Sequence, residues 1–193
     1  MPLNPNYAHP YINFQWPYPL YSYCPPHYDR WNWSSYAYGM PQYARNDRFP
    51  PIELRDYGGK PFVVDIERAA EQNQNYRTAL WTGKHLQVTL MSIEPGGDIG
   101  LEVHPNVDQF IRIEQGHGLV QMGERKDRLD FERRVSEDDA IMIPAGTWHN
   151  VTNTGRVPLK LYSVYAPPEH PFGTVHRTKA EAMAAERQLT SSP

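Results

Sequence analysis

The chain has 193 residues, a formal net charge of −3 and a single cysteine. This length suits one domain with a tail, and the charge provides no positive field that would favour nucleic acid or an anionic membrane. One cysteine excludes an intrachain disulfide, and there is neither a membrane-spanning apolar run nor a signal-peptide pattern, so we expect a cytoplasmic location.

The first 50 residues differ in composition from the rest of the chain. They contain nine of the thirteen tyrosines and nine of the nineteen prolines. Proline at this density disfavours helices and central strands, which predicts an extended, mostly disordered arm over residues 1–50. Two interpretations stay open. The segment is either a tail that tolerates changes in its sequence, or an aromatic arm that docks on a protein partner or a sister subunit.

Residues 51–193 have the pattern of a folded, mostly β domain. Their short apolar segments, separated by turn residues, predict a sandwich or barrel. Glu67–Gln72 is predicted to form a helical turn, and the capping-box pair Thr178 and Glu181 predicts a terminal helix over Lys179–Gln188. The predicted strands are Lys60–Ile66, Ala79–Trp81, His85–Ile93, Gly100–His104, Gln109–Glu114, Gly118–Met122, Ala140–Ile143, Trp148–Asn153 and Leu159–Tyr165.

Four polar residues in this domain form a candidate metal site. Glu102 and His104 are two apart, so they share one face of a strand. A turn follows, and Gln109 begins the next strand, while His149 comes from a later segment after a proline-glycine turn. One carboxylate and two imidazoles suit a divalent transition ion such as iron, manganese, zinc, nickel or copper. Gln109 either adds a fourth ligand or hydrogen-bonds a bound water.

Two motifs in this region resemble those of the cupin family. Gly96, Glu102, His104, Gln109 and Gly116 have the spacing of the first cupin motif, usually G-x5-H-x-H-x3–4-E-x6-G. The second motif, usually G-x5-P-x-G-x2-H-x3-N, is matched by Pro144, Gly146, His149 and Asn153, with Asp138 in place of its first glycine. The resemblance implies an all-β fold, a single cupin (jelly-roll) barrel with the short C-terminal helix.

The ligand set departs from the usual cupin pattern in two places. Glu102 stands where the first histidine is usual, and Gln109 where the glutamate is usual, so the count of one carboxylate is preserved. The chain is also similar to small bacterial cupins labelled mannose-6-phosphate-isomerase-like. This resemblance implies a small-molecule ligand in the barrel and an isomerase-like or Fe(II) dioxygenase-like reaction, and the sequence does not choose between them.

A second class of function also fits the sequence. The barrel would be a structural or binding protein, with the metal as a staple and residues 1–50 as the working part. The tyrosine-rich arm resembles segments of bacterial spore-coat proteins in composition, which would make the protein spore-associated. On family grounds we expect a homodimer, and the segment His85–Ile93 is one candidate for its contact surface. His170, beside Glu169, is predicted to lie in a loop that either packs or covers the barrel mouth.

Overall fold

The computed structural model describes residues 50–190, with the side chains of the last two left out. The arm predicted over residues 1–50 therefore lies, apart from Pro50, outside the described residues. Within the described range there are two helices and nine strands, in this order: α1 (Ile66–Gln72), β1 (Arg77–Thr82), β2 (Gln87–Ile93), β3 (Asp108–Gln115), β4 (His117–Gly123), β5 (Phe131–Ser136), β6 (Ala140–Ile143), β7 (Trp148–Asn153), β8 (Leu159–Ala166), β9 (Val175–His176) and α2 (Lys179–Thr190).

The strands form two antiparallel sheets that enclose one core. The larger sheet has the order β6-β3-β8-β2-β1-β9, and the smaller has the order β5-β4-β7. Alternate residues of each strand point inward, as the 2.0-residue period of a strand requires. The core between the sheets is built from the buried aliphatic side chains of Met91, Ile93, Ile111, Ile113, Val120, Val135, Ile141, Val151, Leu159 and Leu161. The all-β barrel predicted from the sequence is confirmed.

The predicted strand Lys60–Ile66 is wrong. Residues 61–65 are extended but have no ladder partner, and Ile66 already belongs to α1. Their alternation is still that of a strand, because Phe62 and Val64 pack inward while Val63 is 97% exposed. The segment uses this alternation to lie across the outer surface of the large sheet rather than to join it. Periodicity reports which side is buried and cannot report whether a hydrogen-bonding partner is available.

The strand predicted over Gly100–His104 is reduced to a single bridge between Glu102 and His149. Gly100 has a φ of 91°, which turns the chain away from a regular ladder. The strands β5 and β9 were not predicted: β5 is mostly exposed and carries a charged run, and β9 has only two residues. The remaining predicted strands are present, with β6 and β7 at the predicted bounds.

The two helices begin where side chains cap them. Asp65 accepts a hydrogen bond from the amide of Arg68 at the start of α1. At the start of α2 the amide of Glu181 donates to the hydroxyl of Thr178, and the carboxylate of Glu181 accepts from the amide of Arg177. The predicted terminal helix is therefore confirmed, with its end two residues later than expected. Neither described helix is long and apolar enough to cross a membrane.

A second apolar cluster covers the outer face of β1 and β2. Ala69 and Ala70 of α1 pack with Leu80 and Leu90, and the segment before α1 adds further apolar side chains. The buried Lys160 also reaches this side, where its ammonium donates to the carbonyl of Asn73 and the hydroxyl of Ser92. β2 is flanked by β1 and β8 on its two edges, so it has no free edge for pairing with another chain. A subunit contact through the face of the segment His85–Ile93 stays a prediction.

The glycine positions of the two motifs are explained by backbone conformation. Gly96, Gly116 and Gly146 all have positive φ, which a side chain disfavours. At Gly116 a Cβ atom would also lie 3.2 Å from the carbonyl oxygen of Pro158. Asp138, which stands where the second motif usually begins with glycine, has a φ of 72° as well, and its carboxylate contacts Arg112. The departure in sequence therefore preserves the backbone shape, since aspartate is one of the residues that tolerate this region.

Candidate metal centre

Backbone hydrogen bonds bring the two motifs together. The amide of Glu102 donates to the carbonyl of His149 over 3.1 Å, and the amide of His149 donates back to the carbonyl of Glu102 over 2.9 Å. Nearby, the amide of Gly146 donates to the carbonyl of His104 over 2.8 Å. Residues separated by 47 positions are thus placed side by side before any side-chain interaction is considered.

The side chains of Glu102, His104 and His149 converge at one point. The Nε2 atoms of His104 and His149 each lie 3.4 Å from Oε1 of Glu102, and the three ligand atoms all lie within 4.8 Å of one another. His149 is fully buried, and the side chains of His104 and Glu102 are 8% and 19% exposed. This is the arrangement of one carboxylate and two imidazoles that the sequence predicts.

Hydrogen bonds on the far side of each ring orient both imidazoles. Nδ1 of His149 lies 2.9 Å from the carbonyl oxygen of Thr147. Nδ1 of His104 lies 3.1 Å from Oε1 of Glu169. Since carbonyl and carboxylate oxygens accept, each Nδ1 carries the proton in the neutral ring, and each Nε2 presents a lone pair to the centre.

The three donor atoms fit a divalent transition ion. Both Nε2 atoms are buried and have no hydrogen-bond partner among the described residues, and 3.4 Å is too long for a well-formed hydrogen bond. Two ligand atoms that each lie about 2.1 Å from one ion are about 3.0–3.4 Å apart when the angle at the ion is about 90–110°. Two lone pairs and a carboxylate at this spacing repel one another unless a cation lies between them, so the group could hold a metal ion.

The charges at the centre agree with this conclusion. Burial alone would raise the pKa of Glu102, but its contacts with His104 and His149 and the charge of Arg77 lower that pKa to about 2. Burial alone would lower the pKa of His104, but its contacts with Glu102 and Glu169 raise that pKa to about 9. The carboxylate is therefore ionised at neutral pH, and the centre attracts a positive charge, as a proton or as a metal ion.

Gln109 lies on the inner face of the large sheet. Its Oε1 atom is buried and has no hydrogen-bond partner among the described residues, while its Nε2 makes only a long 3.5 Å contact with the hydroxyl of Ser163. An amide oxygen free to accept agrees with a role toward a cation or a bound water. Its direct coordination of a metal stays a prediction.

The sequence did not assign a partner to His104, and the structure supplies Glu169. The loop that carries Glu169 is held by the buried side chain of Gln87, whose Nε2 donates to the carbonyl of His170 and whose Oε1 accepts from its amide, both over 2.9 Å. The ring of His170 lies edge-on against Tyr165, with 5.1 Å between ring centroids. The loop predicted to pack or to cover the mouth is therefore anchored to the barrel wall, and it places a carboxylate on a metal-facing histidine.

Comparisons with known proteins agree with the geometry. A family model described as a cupin domain matches residues 89–165. The chain is 71% identical to YrkC of Bacillus subtilis (strain 168) over 133 residues, which cover 69% of this chain and 72% of YrkC. It is also 40% identical over 115 residues to a protein of Acanthamoeba polyphaga mimivirus, covering 59% of this chain and 70% of that protein.

A solved structure is similar to the barrel itself. The crystal structure of BH2720 from Bacillus halodurans is 66% identical in sequence and superposes with a TM-score of 0.67, covering 68% of this chain and 99% of that one. Two antiparallel sheets around one core, both motifs in order, and a Glu-His-His group at the place where they meet lead to one assignment: the chain belongs to the cupin family.

Proposed function

We propose that this cupin is a metal-dependent enzyme that acts on a small molecule bound in its barrel. The metal would be one divalent transition ion, of iron, manganese, zinc, nickel or copper, held by Glu102, His104 and His149. The observation that carries the proposal is the pair of buried Nε2 atoms, each without a hydrogen-bond partner among the described residues and each 3.4 Å from the same carboxylate oxygen.

Three protein ligands are typical of catalytic rather than purely structural sites, because they leave positions for water or substrate. Gln109 would fill or tune a further position through its free amide oxygen. The bound ion would act as a Lewis acid on a carbonyl or hydroxyl group, as in isomerisation, or, if it is iron, would activate dioxygen. Both reactions stay within the proposal, since the ligand set suits either.

The residues around the ion would orient the two histidine ligands and shield the substrate from water. Glu169 is a positioning residue, because it accepts the Nδ1 proton of His104 and so makes the other ring nitrogen a better donor to a metal. The carbonyl of Thr147 does the same for His149. Burial of both rings would keep bulk water away from the substrate.

The experiment that tests the metal centre is elemental analysis of protein purified without a chelating tag. We expect about one transition-metal ion per chain in the wild type and none in the double variant His104→Ala/His149→Ala. His117→Ala is the matched control, because His117 is an exposed histidine at the start of β4. Absence of metal from the wild type even after reconstitution would overturn the centre.

The experiment that tests catalysis uses the metal-loaded protein. Turnover of sugars, phenols or small acids is expected to require the metal and to disappear in His149→Ala while His117→Ala retains it. A loaded wild-type protein that turns over nothing in such panels would instead favour the structural or binding role.

The partners and location predicted from the sequence are carried forward as proposals. These are a homodimer, a protein partner for residues 1–50, and a cytoplasmic or spore-associated location. Removal of residues 1–49 tests the arm: loss of assembly or localisation with full metal content retained would assign the partner contact to that segment.

A further inference from the structure

The strand β6 forms an open edge of the large sheet. It pairs with β3 on one side, and no strand in the described part of the chain pairs with its other side. The amide of Ile113 donates to the carbonyl of Asp139 over 3.0 Å, and hydrogen-bonded pairs alternate along an antiparallel ladder. The N–H and C=O groups of Ile141 therefore point toward β3, whereas those of Ala140 and Met142 point away from it.

The other three sheet edges are protected, as proteins usually protect edges that could pair with another chain. Backbone hydrogen bonds from residues 96–104 cover β7, for example from the amide of Ile99 to the carbonyl of Val151 over 3.1 Å. The edge strand β9 has only two residues, and β5 exposes charged side chains at residues 132–134. By contrast, β6 contains neither a charge nor a proline, and its residue Met142 is 65% exposed.

The backbone of β6 is complementary to a second copy of itself. If two copies pair antiparallel about a twofold axis at Ile141, Ala140 of each copy lies opposite Met142 of the other. Every outward N–H group of these residues then meets an outward C=O group, which gives about four hydrogen bonds between the copies. A twofold contact of this kind uses the same surface on both partners and closes both edges at once.

Both ends of β6 limit the pairing to this register. Asp138 would lie opposite Pro144 of the second copy, and neither residue has a free N–H group. The amide of Asp138 already donates to the carbonyl of Ile113 over 3.0 Å, and proline has no amide hydrogen. A shift of two residues in either direction would place Asp138 or Pro144 opposite an outward carbonyl and leave that carbonyl without a donor.

The side chains agree with the same register. Directly paired residues point to the same face of a sheet, so the side chain of Met142 would pack over the methyl group of Ala140 of the second copy. Phe110, which pairs with Met142 from β3, continues this apolar row on the outer face. Asp139 would lie opposite Ile143 of the second copy, so the pairing brings no two acidic side chains directly opposite each other.

We infer that β6 is a self-association edge, where a second copy of this chain pairs with Ala140 opposite Met142 and joins the two large sheets into one sheet of twelve strands. The inference gives a contact surface to the proposed homodimer and does not depend on the metal centre. About four backbone hydrogen bonds and one exposed methionine form a small contact, so we expect a weak dimer whose population depends on protein concentration.

Sedimentation velocity of the full-length chain over a range of concentrations tests the inference. The wild type is expected to pass from monomer to dimer as the concentration rises. Met142→Lys should raise the dissociation constant of the dimer about tenfold or more, because it places an unpaired charge in the contact. Phe131→Lys is the matched control, since Phe131 is an exposed apolar residue on the edge strand β5. It should change the constant by about twofold at most, and both variants should keep the circular dichroism spectrum of the wild type.

Disulfide crosslinking tests the register, in chains whose Cys24 is replaced by serine. Ala140→Cys chains mixed with Met142→Cys chains should form a linked dimer in oxidised glutathione, because directly paired residues have Cα atoms about 5.5 Å apart. Met142→Cys chains alone should remain unlinked, since a diagonal offset of two residues puts their Cα atoms beyond about 7 Å.

Three results would overturn the inference. The first is a wild type that stays monomeric at every concentration. The second is a dimer that survives Met142→Lys, which would favour another surface such as the face of the segment His85–Ile93. The third is a crosslink that forms in Met142→Cys chains alone and not in the mixture. Elemental analysis of the same samples decides the metal centre separately, so the two proposals succeed or fail independently.

Discussion

The side chain of Asn153, the last residue of the second motif, connects three pieces of backbone. Its Nδ2 donates to the carbonyls of Ile93 and Val157 over 2.8 and 2.9 Å, and its Oδ1 accepts from the amide of Gly155 over 2.8 Å. Asn153 is 1% exposed and points into the end of the barrel where β2, β7 and β8 meet. We therefore predict that this asparagine stabilises the fold and takes no part in the chemistry of the site.

The cost of Asn153→Ala follows from these contacts. The bond to Ile93 is fully buried, so its carbonyl would be left without a partner at about 1–2 kcal/mol, while the two partly buried bonds would cost about 0.5–1 kcal/mol each. The total is about 2–4 kcal/mol, which corresponds to a fall in Tm of about 4–16 °C for a chain of this size. Asn153→Asp should cost at least as much, because it keeps the volume but turns a carboxylate toward two carbonyl oxygens.

Thermal and urea unfolding, each with metal content measured in parallel, check this prediction. Thr154→Ala is the control in the same turn, because its exposed hydroxyl makes only a long 3.5 Å contact with the carbonyl of His117. It should change the free energy of unfolding by less than about 0.5 kcal/mol. The reasoning is refuted if Asn153→Ala unfolds with the wild type, or if it loses metal at unchanged Tm.

Three further predictions concern the loop, the acid response and the turn. Burial and the charge of Arg77 lower the pKa of His170 to about 3, so the unfolded chain binds a proton more readily than the folded chain below pH 6.5. The free energy of unfolding should therefore fall as the pH drops from 6.5 toward 3, by about 2 kcal/mol between pH 7 and 5. In urea unfolding, His170→Gln should not show this pH dependence. Gln87→Leu should speed hydrogen exchange of the His170 amide about tenfold or more, since its acceptor is lost, whereas the same change at Gln121 should not; unchanged protection would count against the anchor. Asp138→Ala should be about 1 kcal/mol less stable than Asp138→Gly, because φ is positive there and both variants lose the contact with Arg112; equal unfolding midpoints would contradict this.

Most of the barrel could be predicted because its strands and the turns between them are recognisable from local sequence. The segments that became β6, β7 and β8 are short and are bounded by proline, glycine or aspartate, which indicates both that they exist and where they end. The errors arose in segments where alternate burial of side chains and hydrogen bonding to a neighbouring strand do not occur together. Residues 61–65 bury alternate side chains without a ladder partner, and β5 is a paired strand whose exposed, charged face has no apolar alternation to reveal it.

The residues of the site also divide into those that local sequence motifs reveal and those that they do not. Glu102, His104 and His149 could be found because their spacing matches two known motifs, and the structure brings them together. Glu169 and Arg77 could not be found in this way, since they act on His104 and Glu102 from 65 and 25 residues away, and no local pattern reports such contacts. A signal existed for Arg77: it precedes the predicted strand at Ala79 by two residues, so extending that strand would have placed its guanidinium on the inner face.

The paired backbone hydrogen bonds between Glu102 and His149 have a consequence for how such a site can change. Because backbone hydrogen bonds, and not the side chains, determine the positions of the ligands, the backbone tolerates different donor atoms at the same positions. A carboxylate can occupy a ligand position where an imidazole is usual, and an amide can occupy one where a carboxylate is usual, without moving the other ligands. The chain is therefore a ready scaffold for redesign: the combined exchange Glu102→His and Gln109→Glu would restore the common donor set on an unaltered frame, and metal preference could be tuned independently of folding.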